Sequence, residues 1–305
     1  MLSYQHQYHA GNMADVHKHA LLAWMLDYLA QKDKPLSYIE THAGRALYDL
    51  GSPEASLTGE AARGIGRAEQ GFAAGHPYRR RLAEVRAAHG ATAYPGSPLI
   101  AALTLRRGDV MHLADLHPQE HAALAVAMAP WGAHVRREDG PAMALALCPP
   151  TPRRGLLLVD PSWEVKADYE TMPALMERVA AKWNVGVLAL WYPILAEAPH
   201  AAMLGRLTAA FPDAARGALS RGPAGPPDDR VGPLRRQSAL GHGRGGGRGR
   251  PDHRLSLTAG AARTAPSTAP PPPSARSPAR STAQPRQAPA ERQERSSTEC
   301  RSPSS

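Results

Sequence analysis

Four consecutive residues, Asp160-Pro161-Ser162-Trp163, bring together a carboxylate, a proline carbonyl and an aromatic ring. They follow an apolar run, Gly155-Leu156-Leu157-Leu158-Val159, which reads as a buried parallel strand. The set therefore falls at a strand's C-terminal end, where open α/β sheets place their ligands. Its chemistry suits the exocyclic amino group of a flat base. The carboxylate and the carbonyl both accept hydrogen bonds from an amine, and the indole offers a stacking face. The plainer reading of the same residues is a strand-ending turn beside a buried tryptophan.

Other polar groups fall at matching places. Thr41-His42-Ala43-Gly44 follows the strand expected over Leu36–Thr41 and forms a close-approach turn with a single glycine, since Arg45-Ala46 comes next. Asp115 ends the next strand and is placed to accept from ribose hydroxyls. Asp139-Gly140 ends the one after. A single carboxylate at a strand end is often only a turn former or helix cap. Three at successive strand ends, Asp115, Asp139 and Asp160, indicate a shared crevice. The segment from Tyr4 to Asn12 is also dense in polar groups. His6, His9, His17 and His19 lie near one another in sequence, but His17 and His19 point to different faces of a helix, and no Cys or acid completes a metal-binding spacing. No metal is expected.

The elements that must position these groups alternate. Ala14–Gln31 has the apolar period of a helix. Residues 52–94 read as a small helical insertion rich in Ala, Arg and Gly. Strands are then expected at Val110–Asp115, Ala133–Arg137, Gly155–Asp160 and Val185–Tyr192. Helices are expected at Gln119–Met128, Ala142–Leu147, Tyr169–Lys182 and Glu197–Phe211. This alternation predicts an α/β fold with a doubly wound, mainly parallel sheet.

Composition bounds the rest. The chain has 305 residues and a net charge of +9. Residues 217–305 hold 15 Arg, no Lys and 6 acids, which accounts for the whole excess, and residues 1–216 hold 21 basic and 21 acidic side chains. The bulk charge is therefore no argument for nucleic-acid binding by the folded part, which must use local clusters such as Arg79-Arg80-Arg81, Arg106-Arg107 and Arg153-Arg154. Two cysteines, Cys148 and Cys300, give no disulfide framework. The N-terminus lacks a signal-peptide pattern, and no apolar run is long enough to span a membrane. A cytoplasmic protein with no membrane partner is expected.

Residues 1–212 resemble the RlmJ family of bacterial 23S ribosomal RNA adenine-N6 methyltransferases. The resemblance is carried, in the family's order, by Met1-Leu2-Ser3-Tyr4-x-His6-x-x-His9-Ala10-Gly11-Asn12-x-Ala14-Asp15-Val16-x-Lys18-His19 and by Thr41-His42-Ala43-Gly44. It continues with Tyr94-Pro95-Gly96-Ser97-Pro98-Leu99-Ile100-Ala101, Asp160-Pro161-Ser162-Trp163 and Leu190-Trp191-Tyr192-Pro193. It implies a Rossmann-like class I fold, S-adenosylmethionine as methyl donor, and N6-methylation of an adenine in 23S rRNA by a monomer acting before full ribosome assembly. It places His19, His42, Ser97, Asp115, Asp139, Gly140 and Asp160 at donor-site positions, Asp160 also at the catalytic one, and Tyr4 at an RNA contact. Lys18 is expected beside the donor's carboxylate. Asp160 and the Pro161 carbonyl would hold the adenine amino group, with Trp163 stacked on the base. Two departures stand out: Ala46 replaces a common glycine, and Trp163 replaces the commoner tyrosine. A DNA adenine methyltransferase and a non-catalytic RNA-binding remnant are the alternatives.

The resemblance stops near Asp213. Residues 217–305 contain no Phe, Tyr or Trp but include an Arg/Gly run over 243–250 and four successive prolines over 270–273. Such a segment buries too little apolar surface to offset its ordering entropy. The sequence thus divides into a methyltransferase domain over 1–213 and a disordered tail over 214–305, leaving the last sheet edge unpaired. The tail has two readings. One is an Arg/Gly-rich RNA-binding extension. The other is translation out of frame. Residues 225–243 have a back-translation, with codons chosen freely, that read from its second nucleotide gives GHRMTGSGLFVVNRPWG, which resembles the family's pattern GMTxSGxxVxNPPW at all but two of its fixed positions. The gene around the Asp213 codons decides between them: a one- or two-base shift restores the motif in the second reading, and no shift does so in the first.

Overall fold

The computed structural model describes residues 5–195, 197–218 and 256–261. Helix α1 (Met13–Ala30) starts where Asn12 accepts a hydrogen bond from the Asp15 backbone N–H at 2.9 Å. It ends under two guanidinium groups. Arg106 donates to the carbonyls of Ala30, Lys32 and Lys34, and Arg154 to those of Leu29 and Lys34. Two arginines of the basic clusters thus satisfy carbonyls at the C-terminal end of a helix.

Strand β1 (Ser37–Glu40) follows, then the antiparallel pair β2 (Leu47–Asp49) and β3 (Ala93–Pro95). The pair brackets the insertion, whose helices are α2 (Pro53–Thr58), α3 (Glu60–Arg63), α4 (Ile65–Ala68) and α5 (Pro77–His89). The helical insertion was legible in sequence. The two-stranded clasp at its base was not, because three-residue strands carry too little periodicity to register. Beyond it come α6 (Ser97–Ala102), β4 (Val110–Ala114), α7 (Pro118–Met128), β5 (His134–Arg136) and α8 (Gly140–Leu147). The series continues with β6 (Gly155–Val159), α9 (Asp168–Lys182), β7 (Val187–Pro193) and α10 (His200–Ala210), and closes with β8 (Ala215–Ala218) and β9 (Ser256–Ala261).

The main sheet has the order β5-β4-β1-β6-β7-β9-β8, and all its pairs are parallel. The chain winds outward from β1 through β4 to β5, then returns to β6 on the other side of β1. The winding direction reverses between β1 and β6, and the C-terminal ends of these two strands open the crevice where such sheets bind ligands. Alternation on β6 divides the core. Leu156 and Leu158 pack with Leu22 and Leu26 of α1, Leu82 of α5, Ile100 of α6 and Leu124 of α7. Leu157 and Val159 face Met143 of α8, Met176 and Val179 of α9 and Leu207 of α10. Among the described residues, no helix is long and apolar enough to cross a membrane.

The sequence reading ended the folded domain at residue 213 and left β7 as an open edge. In the structure β9 lies along β7 from Leu188 to Pro193, and β8 lies beyond β9. Edge pairing runs through main-chain groups, so a segment without aromatic residues still serves. Most of the expected tail lies outside the described residues.

Trp183 is the largest fully buried side chain, and its indole N–H donates to the Arg153 carbonyl. Truncating it opens a cavity and orphans that carbonyl. Trp183→Ala is expected to cost about 3–5 kcal/mol of stability, read as a lower midpoint in denaturant unfolding. An unchanged midpoint would contradict this packing.

Candidate active site

The site grows from the ends of β1, β4, β5 and β6. Its centre is a buried ion cluster. Lys18, on the second turn of α1, places Nζ 2.7 Å from Asp160 Oδ2 and 3.1 Å from Asp15 Oδ1. Asp15 Oδ2 also accepts from the Gly11 N–H at 3.0 Å and lies 2.7 Å from His6 Nε2. Burial alone would raise the Asp15 carboxyl, but His6 and Lys18 beside it hold it well below the usual carboxylate range. The N-terminal segment thus folds back to deliver a cation to the carboxylate at the end of β6. The Lys18 ammonium, expected from the sequence beside the donor's carboxylate, is shared between these two protein carboxylates.

The turn after β1 approaches its neighbours closely. Gly44 has φ +62°, and a Cβ there would lie 2.6 Å from the Tyr48 hydroxyl, so the turn requires glycine. Its N–H donates to Asp115 Oδ2 at 2.8 Å, while the His117 N–H donates to Oδ1 at 2.8 Å. Each carboxylate oxygen keeps a second acceptor position at the mouth of the crevice. Burial raises the Asp115 carboxyl, and the two N–H bonds oppose that rise. Asp139 caps α8, accepting weakly from the Ala142 N–H at 3.4 Å. Gly140 lets the start of α8 press on the turn, since a Cβ there would lie 1.9 Å from the Thr41 carbonyl oxygen. Arg45 is clamped to Glu120 of α7 by two bonds, of 3.0 and 2.5 Å, so the far side of the turn is also anchored.

Two histidines line the interior. His19 Nδ1 lies 3.0 Å from the Tyr94 hydroxyl, and burial lowers its pKa to about 3. His42 Nδ1 lies 2.8 Å from Thr41 Oγ1, and burial lowers its pKa to about 4. Both are neutral at physiological pH. Ser97 Oγ donates to Glu40, a residue the sequence reading did not single out. The signal was present as a lone carboxylate in the last position of an otherwise uncharged strand.

After β6, Pro161 is buried, and Trp163 adopts φ +61°, a conformation that bulky residues avoid. Its indole N–H donates to the Trp191 carbonyl at 3.0 Å, and its ring meets that of Tyr169 at 4.8 Å between centroids. The Asp-Pro-Ser-Trp loop is thereby tied to the end of β7 and held in one shape. Tyr4 lies outside the described residues. All the other residues expected at the site fall on the strand ends around the crevice, or on α1 and α6 beside them. Among the described residues, no group of three or more His, Cys, Asp or Glu side chains is placed to hold a metal ion.

The cluster sets two expectations. Replacing Lys18 with Met leaves the buried Asp15 and the partly buried Asp160 without their shared cation, which should cost about 3–5 kcal/mol. A stability loss under about 1 kcal/mol in chemical unfolding would contradict the cluster. The buried imidazoles set the acid limb. His19, His42 and His112, whose pKa burial also lowers to about 4, stay neutral in the folded state while the unfolded chain takes up protons below about 6.5. Their contribution is present above that pH and is lost as pH falls toward 4. Melting temperature should therefore drop across this window, and a flat profile from pH 6.5 to 4.5 would contradict it.

Comparison with known proteins supplies the family. Residues 33–216 match the family model described as ribosomal RNA large subunit methyltransferase D, RlmJ. The chain is 40% identical over 199 residues to ribosomal RNA large subunit methyltransferase J of Escherichia coli, covering 64% of this chain and 71% of that protein. It is 37% identical over 200 residues to the protein of the same name from Haemophilus influenzae, with the same shares covered. A crystal structure of a Legionella pneumophila protein superposes with a TM-score of 0.59 at 33% identity, covering 66% of this chain and 76% of that one. The sheet order, the crevice at its reversal point and these similarities agree: the chain belongs to the RlmJ family of large-subunit ribosomal RNA methyltransferases.

Proposed function

We propose that this protein transfers a methyl group from S-adenosylmethionine to the N6 amino group of an adenine in 23S rRNA. The observation that carries the reading is the Asp160 carboxylate, fixed by Lys18 at the end of β6 and followed by a buried Pro161 and a constrained Trp163. The names of the relatives supply the large-subunit rRNA, and the residues supply the amino group.

The residues around the crevice fit such a donor. Asp115 keeps acceptor capacity for ribose hydroxyls, and the Gly140–Thr41 contact brings α8 and the first turn together as a cradle. Asp139, Ser97, His19 and His42 complete the wall. When bound, S-adenosylmethionine supplies an electrophilic methyl group on a sulfonium.

The protein's part is positioning and charge. An adenine amino group is a poor nucleophile because its lone pair is delocalised into the ring. Asp160 Oδ2 is taken by Lys18, which leaves Oδ1 to accept one N–H of the amine. The Pro161 carbonyl accepts the other. These two bonds localise the lone pair and stabilise the positive charge that develops on nitrogen. Asp160, or water beyond it, then accepts the departing proton. Trp163 presents its ring to the base, a contact worth roughly 1–3 kcal/mol. The adenine must leave its stack to reach this depth.

The test is product analysis. Purified protein, S-adenosylmethionine and unmodified 23S rRNA should yield N6-methyladenosine at one position, with duplex DNA left unmethylated. Methylation of the DNA instead, or of another atom of the rRNA, would overturn the reading.

A further inference from the structure

Glu40 ends β1 with no solvent exposure, and each of its oxygens meets one hydroxyl. Tyr38 Oη donates to Oε2 at 2.8 Å, and Ser97 Oγ donates to Oε1. The groups that face it are Tyr38 from its own strand, Ser97 from α6, Lys18 from α1 and Asp160 from the end of β6. Two neutral hydroxyls compensate poorly for a buried anion. Burial raises the Glu40 pKa to about 8, against the pull of the Ser97 and Tyr38 hydrogen bonds and the Lys18 charge, with Asp160 adding to the rise. At neutral pH the carboxyl holds its proton.

That proton decides what Ser97 shows to the crevice. An ionised Glu40 only accepts, so the Ser97 hydrogen is spent on it and the serine turns its lone pairs outward. A protonated Glu40 has an O–H of its own to donate. One of the two hydroxyls must then accept, and Ser97, the first residue of α6 and the less buried of the two, is the one assigned that role. The charge around the site sets which state prevails. Lys18 is already shared between Asp15 and Asp160, Asp15 also meets His6, and burial keeps His19 and His42 neutral. A cation entering the crevice supplies the counter-charge that an ionised Glu40 lacks.

We propose that Glu40, acting through Ser97, gauges the charge of the ligand in the crevice. It releases its proton when the cationic sulfonium donor binds and keeps it when the thioether product binds. Glu40 is a positioning residue, since it reaches the ligand only through Ser97. The proposal rests on the donor reading above, and it provides a means of ejecting product: once the methyl group and its charge have left, Glu40 recovers a proton and Ser97 reverses its hydrogen bond.

Calorimetric titration in two buffers of different ionisation heat measures the protons released. At pH 7, S-adenosylmethionine should release up to one proton more than S-adenosylhomocysteine. The ratio of the two affinities should shift toward the donor by up to tenfold per pH unit between about 6 and 8, then level off. In Glu40→Gln both effects should vanish while both ligands still bind. Equal proton release for the two ligands in the wild type, or a wild-type difference surviving in Glu40→Gln, would overturn the proposal. The wild-type comparison decides alone if the variant does not fold. Failure of both ligands to bind would overturn the donor reading itself, which separates the two outcomes.

Discussion

The site depends on one buried ammonium. Lys18 joins Asp15, which anchors the N-terminal segment, to Asp160, which ends the central strand β6. The buried Asp15 carboxylate needs cations beside it, and Lys18 supplies one while also reaching Asp160. The pairing also imposes geometry. It ties α1 to the end of β6, and through Asp15 it reaches His6 and Gly11 of the segment that precedes the helix. The strand ends, the glycine turn and the tryptophan loop take their places around that point.

The wall of the crevice is otherwise built to hold few net charges. Burial lowers the pKa of the imidazoles at positions 19 and 42, and the same burial raises that of Glu40 to about 8. On the proposed reading, a site that accepts a cationic donor and releases a neutral product gains from such poise, because the ligand then supplies the charge that its surroundings lack. The constrained Trp163 and the close approach of Gly140 to Thr41 serve a different end: they remove conformational freedom from the loops that would otherwise have to be ordered on binding.

Much of this was legible in the residues. The strand Gly155–Val159 and the loop after it announced themselves through an unbroken apolar run meeting Asp160-Pro161, and the acids at 115 and 139 marked further strand ends. The sequence also contained His6, Asp15 and Lys18, but not their convergence, since no local periodicity relates α1 to a strand more than a hundred residues later. Glu40 was missed for a related reason. Its meaning comes from Tyr38 two positions before it and Ser97 beyond the whole insertion, and only the fold brings the two hydroxyls together. The edge beyond β7 was read from composition, which reports side-chain burial and is blind to main-chain pairing.

On the proposed function, the Asp160 carboxylate, oriented by Lys18, activates the target amine. Single-turnover methylation of 23S rRNA by Asp160→Asn, with donor binding measured in parallel, tests it most directly. The account predicts a rate lowered by about 10²–10³-fold, with S-adenosylmethionine still bound within tenfold of the wild-type affinity. A variant that binds donor and methylates at the wild-type rate would contradict it.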